Sequence, residues 1–137
     1  MKDTYFKPET ITPTAQKMLH DLGKLRKERA FDLACAALLV LDMQDYFLDS
    51  ASHAYIPSGG SIIPGIRKLV AVFEEASRPI IFTRHINTTD DAGAMAHWWR
   101  DMITEENIFS QITESLDTSK CETLPWPTVG RNLLVWL

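Results

Sequence analysis

The stretch Ala36-Ala37-Leu38-Leu39-Val40-Leu41-Asp42-Met43-Gln44-Asp45-Tyr46-Phe47 decides the fold. An unbroken apolar run, residues 36–41, stops abruptly at a carboxylate. Short continuous apolar runs mark strands buried on both faces, as in a parallel sheet covered by helices. In such sheets ligands bind outside the carboxyl ends of the strands. Asp42 therefore stands where a parallel α/β protein keeps its chemistry, with Gln44 and Asp45 on the loop beyond it. Aspartate is also the residue type that caps a following turn or helix. Spacing alone does not separate the two roles.

Outward from this strand, residues 48–61 read as a long loop carrying Pro57, Gly59 and Gly60. Loops of that length in a compact domain are often functional. Ile62, Ile66, Leu69, Val70 and Phe73 then recur at helical spacing, with Pro64 in the first turn and an end near Ser77. Arg78-Pro79 breaks that helix, and Pro79-Ile80-Ile81-Phe82-Thr83 reads as a second buried strand. Strand, helix and strand make one βαβ unit. Arg84 and His85 follow the second strand directly, at the same end of the sheet as Asp42.

Upstream, residues 1 to about 12 read as an extended arm, and Thr12-Pro13 as a helix start. Ala15, Met18, Leu19, Leu22 and Leu25 form a stripe on a helix expected to end near Arg29. That stripe is expected to pack on the body of the protein or on a neighbouring subunit. Downstream, Asp90-Asp91 is expected to cap a third helix with Met95, Trp99, Met102 and Ile103 on one face. Residues 104–118 are polar, with a short helical turn expected around Ile108, Phe109, Ile112 and Leu116. The last segment is broken by Pro125 and Pro127 and ends in an apolar pentapeptide, 133–137, a possible third strand.

The whole chain bounds what these elements can do. Its 137 residues make one ordinary domain, with residues 1–30 as arm and helix. At 45% hydrophobic and 23% charged residues it reads as globular. A net charge of -4 without a basic run argues against a nucleic-acid partner. No apolar stretch approaches the ~18 residues of a membrane span, and the N-terminus lacks a signal-peptide core. Two cysteines, Cys35 and Cys121, form neither a disulfide framework nor a metal-finger pattern, so a reducing cytoplasm is expected. Cys35, just before the first strand, is expected to be a small buried residue. No phosphate-binding glycine loop is present, and His20, His53, His85 and His97 are scattered rather than clustered for a metal.

Leu39 to Phe47 resembles the first-strand motif of the isochorismatase-like cysteine hydrolases. Pro79-Ile80-Ile81-Phe82-Thr83-Arg84-His85 resembles that family's second-strand segment. Ala96-His97-Trp98-Trp99-Arg100-Asp101 is similar to a segment from one of its branches. The resemblance covers roughly residues 36–120. It implies a three-layer αβα sandwich with a mainly parallel, Rossmann-like sheet, incomplete here on its C-terminal side. It implies hydrolysis of the C–N bond of a small amide, or of a vinyl ether, by an Asp-Lys-Cys triad. A thiol with a pKa of about 8.5 needs a base beside it at neutral pH, and a strand-end carboxylate can accept its proton. Asp42 matches the family's aspartate. Gln44 and Phe47 match positions lining the pocket, and Arg84 and His85 sit at its rim; Trp98, of the Trp98-Trp99 pair, supplies either an apolar wall or part of the core. The Asp-x-His spacing of the family's metal-binding nicotinamidases is absent, so neither metal nor cofactor is implied.

The triad's lysine and cysteine have no counterpart. In the family both follow later strands, whereas this pattern fades near Lys120 into Leu124-Pro125-Trp126-Pro127. Lys120 comes too early, and Cys121 follows it without the intervening strand, so neither is assigned a catalytic role. A fragment, a product of a shifted reading frame and a genuine short variant all remain open. The expected protein is a hydrolase by descent, inactive for want of its nucleophile. The alternative is a non-catalytic binding or assembly module that keeps the Asp42 pocket. Its partners are a small molecule and, through the N-terminal helix, further copies of itself. With sheet edges left open, the chain is expected to be unstable or to associate as an isolated monomer.

Overall fold

The computed structural model describes residues 2–23, 30–88, 90, 92–124 and 132–136. Helix α1 spans Ile11–Leu22. Strand β1 (Leu38–Val40) and the single turn α2 (Asp45–Leu48) follow, then α3 (Ile63–Glu75) and β2 (Ile80–His85). The short α4 (Met95–Trp98) and strands β3 (Glu122–Leu124) and β4 (Asn132–Trp136) complete the order.

The two apolar runs lie side by side. β1 and β2 pair in parallel, with Leu38 opposite Ile80 and Val40 opposite Phe82. α3 links them, its proline at the start as a helix tolerates. This is a βαβ unit, as the two apolar runs and the stripe between them predict. The sheet order is β1-β2-β4-β3, and β4 runs antiparallel to both β2 and β3. Residues 133–136 of the C-terminal apolar pentapeptide thus lie in a strand (β4), and Leu137 lies outside the described residues. The short β3 was not expected, because three residues before a proline carry too little pattern.

The pleat of β2 sorts its residues. Ile80, Phe82 and Arg84 are buried, while Ile81, Thr83 and His85 on the opposite face are only partly so. Val40, Met43, Phe73, Ile80, Phe82 and Leu116 form the core between the sheet and α3. Full burial of side chains this size is worth about 1.5–3 kcal/mol each. On the opposite face of β1, Leu39 and Leu41 remain 54% and 59% exposed.

Several expectations are corrected. α1 starts after Thr10 rather than Thr12, because the Lys7 carbonyl already accepts from the Thr10 and Ile11 amides. Its described part stops at Leu22, where Gly23 turns to φ +59°, a conformation glycine adopts without steric cost. The remainder of the expected helix, 24–29, lies outside the described residues. No residue of α1 is buried, so its stripe does not pack on the body of this chain. The third helix shrinks to α4, and Asp91 lies outside the described residues. Cys35 sits exposed in a 3-10 turn, Leu33–Cys35, instead of being buried.

Candidate active site

Asp42 follows the last residues of β1 with φ +49°. Aspartate is among the few residues with a side chain that visit this region readily, and such strain concentrates at functional positions. Thr83 of β2 holds it. The Thr83 hydroxyl donates to Asp42 Oδ1 at 2.7 Å and accepts from the Asp42 amide at 3.1 Å. The same amide also reaches the Thr83 carbonyl at 3.2 Å. A parallel neighbour thereby fixes both the backbone and the carboxylate at the mouth of the sheet. Oδ1 is tied to Thr83, which leaves the carboxylate oriented and still able to accept a proton.

Gln44 is fully buried and ties three segments together. Its Nε2 donates to the carbonyls of His85 at 2.9 Å and Ser110 at 2.6 Å, and its Oε1 accepts from the His85 amide at 2.8 Å. Beside it, the amides of Asp45 and Tyr46 donate to the carbonyls of Gln111 and Phe109, and the Thr113 amide to Met43. Segment 109–113 therefore runs antiparallel along the exit of β1. With its amide spent on backbone groups, Gln44 acts by placing this loop.

The remaining predicted site residues divide. His85 shares Thr83's face of β2, and its Nε2 meets Asn87 Oδ1 at 2.9 Å. Arg84 points to the opposite, covered face. It is buried against Glu105 at 2.9 and 3.2 Å and Gln111 Oε1 at 2.6 Å. Phe47 is half-buried, its ring edge-on to Tyr46 at 5.3 Å. Trp98 is 66% exposed and stacks edge-on against Trp99 at 5.4 Å. Asp42, Thr83 and His85 thus form one group at the sheet end. Arg84 is held elsewhere by its own ion pair.

Sequence reasoning missed a second polar centre. Tyr46, 1% exposed, accepts from Trp99 Nε1 at 2.8 Å and donates to the Asp101 carbonyl. Its oxygen also lies 2.7 Å from His53 Nε2. A hydroxyl has a single proton; when it is directed at the Asp101 backbone carbonyl, the His53 contact is made by the tautomer that donates from Nε2. Burial pushes the Tyr46 pKa up, the Trp99 hydrogen bond opposes that, and the Asp101 charge adds to it. Asp101 itself is held at φ +51°. These bonds fix residues 99–101 against α2 and explain why the helical spacing of Met95, Trp99 and Met102 does not yield a long helix. Tyr46, Ser52, His53, Arg100, Asp101 and Phe109 line a pocket of about 450 Å³. None of the six predicted site residues lines it. A tyrosine two residues beyond a predicted loop glutamine was the available signal.

Cys121 packs against the edge of the core. Burial, then the charges of Asp117 and Glu74, raise its pKa, which is opposite to what a nucleophilic thiol requires. Among the described residues no group of three or more His, Cys, Asp or Glu is placed to hold a metal. No described helix is long and apolar enough to cross a membrane.

The isochorismatase domain family model matches residues 36–121. No curated protein and no solved structure matches the chain. The matched segment contains β1, Asp42, α3 and β2, the elements that build the Asp42–Thr83 pair. The chain belongs to the isochorismatase family, a family of hydrolases.

Proposed function

We propose that this chain carries the aspartate half of an isochorismatase-like hydrolase site. Its ligand would be a small amide cleaved at C–N, or a vinyl ether, bound against Asp42, Phe47 and His85 in a reducing, cytoplasmic setting. The observation that carries this reading is the carboxylate of Asp42 oriented by Thr83 at the end of a parallel strand pair. Asp42 is its catalytic base. Gln44 positions the loop, Arg84 braces the covered face, and Trp98 extends the wall. Of the two cysteines, Cys35 is exposed ahead of β1 and burial pushes the Cys121 thiol toward its protonated form, so neither supports the nucleophile's role beside Asp42. Turnover by the chain alone is therefore expected to be absent.

The binding-module alternative draws support from Cys121, whose partly buried thiol favours its protonated form. Hydrolysis assays with small primary amides and with isochorismate separate the two readings. The expected result is no release of ammonia or pyruvate above background, from the chain or from Cys121→Ala. Turnover that disappears in both Asp42→Asn and Cys121→Ala would overturn the inactive reading and restore a complete catalytic pair. Thiol labelling gives an independent check. Cys35 is expected to react rapidly and Cys121 slowly under native conditions, converging once the chain is unfolded.

A further inference from the structure

Residues 2–6 run ahead of α1 without helix or strand, yet they are tied to a loop more than fifty residues away. Lys2 Nζ donates to the carbonyls of His53 at 2.6 Å and Tyr55 at 2.7 Å. The Tyr5 and Phe6 amides both donate to Ser58 Oγ, at 2.7 and 3.0 Å. The buried Ser61 hydroxyl donates to the Phe6 carbonyl at 2.9 Å. α1 buries no residue, so the arm and not the helix makes this attachment. The loop's own bonds are short-range. The Ile56 amide reaches the Phe47 carbonyl, the Tyr55 amide the Ser52 carbonyl, and the Gly59 amide the Ile56 carbonyl. A partly exposed loop held by such local bonds belongs to the low-stability end of a fold, where opening is easiest. His53 joins this loop to the pocket. Its carbonyl accepts from Lys2, while its Nε2 lies 2.7 Å from the Tyr46 hydroxyl and its ring stands edge-on to Trp99 at 5.7 Å. Ala51, Ser52 and His53 line the pocket of about 450 Å³ from the loop side, facing Arg100 and Asp101.

We infer that residues 2–6 are a strap that holds the 53–61 loop in place and thereby sets the His53 wall of the Tyr46 pocket. With the strap attached, His53 is fixed at both ends, its backbone by Lys2 and its ring by Tyr46. An ammonium carries three donors and no acceptor, so Lys2 can hold two loop carbonyls at once. With the strap released, the loop keeps its local bonds and loses the distant ones. The His53 ring then leaves the Tyr46 hydroxyl more often, and the pocket opens on that side. The inference is independent of the hydrolase reading, because no residue of the Asp42 group enters it.

Two measurements on the full chain and on Lys2→Met/Tyr5→Pro test it. The variant removes the ammonium and one of the amides held by Ser58, and it alters only exposed residues, so the fold is kept. Amide exchange in residues 53–61 is expected to speed up about tenfold or more, as losing several hydrogen bonds implies, with β1 and β2 unchanged. Modification of His53 by diethyl pyrocarbonate, mapped by mass spectrometry, should become several-fold faster, while His85 reacts as before. Lys2→Arg keeps a donor for the two carbonyls and should stay close to the original chain in both measurements. Unchanged exchange in the 53–61 loop overturns the proposal. So does faster loop exchange with an unchanged His53 rate, because the strap would then not reach the pocket. Equal acceleration in β1, β2 and the loop also overturns it, since the arm would then serve the stability of the whole fold.

Discussion

The two faces of the β1–β2 pair receive the same backbone and opposite treatment. On one, Val40, Ile80 and Phe82 pack with Phe73 of α3 and Leu116 into a dry core. On the other, Leu39 and Leu41 stay exposed, and the Asp42–Thr83 pair and His85 occupy the strand ends. One pleat therefore separates the residues that hold the sheet together from those available for chemistry and recognition. The same separation explains why Arg84 and His85, adjacent in sequence, do different work.

This contrast is easiest to break in the core. Phe82→Ala is expected to cost about 3–5 kcal/mol, whereas Leu39→Ala is expected to cost less than about 1 kcal/mol. Urea unfolding of the two variants under identical conditions reads the difference, and equal costs would show that the faces are not distinct. The next effect lies where the faces meet. Gln44→Leu strands two carbonyls and an amide at the exits of β1 and β2, at about 1–3 kcal/mol for each group that water cannot reach. A loss of a few kcal/mol is expected, with the 109–113 segment exchanging its amide protons faster. Unchanged exchange there would remove Gln44 as the clamp.

Smaller effects follow from titration. Burial raises the pKa of Cys121 and Tyr46 above their unfolded values. The unfolded chain then releases these protons first, so stability holds below the unfolded pKa and falls as pH rises through it. The melting temperature should be level up to about pH 8 and decline from about 8.5, with a second decline above about 10. Cys121→Ala should remove the first decline and Tyr46→Phe the second, the latter also losing about 1–2 kcal/mol with the Asp101, Trp99 and His53 contacts. Declines that persist in both variants would assign the alkaline sensitivity elsewhere.

Much of this was legible in the sequence, for a physical reason. Two continuous apolar runs joined by a Pro-started stripe can scarcely do anything but pair around a helix, and Ala36–Leu41 and Pro79–Thr83 do so. Asp42 could be placed at the strand end because a carboxylate terminates the run. Tertiary contacts were less legible. The Tyr46 hydroxyl overrides the helical period of Met95, Trp99 and Met102, and no local pattern announces a buried hydroxyl's partners. The described part of α1 stops at Gly23, whose freedom at positive φ suits a helix end. The opposite facing of Arg84 and His85 follows from strand alternation. Thr83, which orients Asp42, was within the quoted motif, but only the register of β1 against β2 reveals that the two residues meet.

The central claim is that the open end of this sheet retains an Asp42-centred binding site. Amide chemical-shift mapping of the full chain with acetamide and benzamide tests it most directly. Shifts are expected to concentrate on Asp42, Thr83, His85 and Phe47 and to vanish in Asp42→Ala, without substrate turnover. Shifts confined to the Tyr46–His53–Arg100 pocket, or no shift at Asp42 at saturating amide, would contradict it.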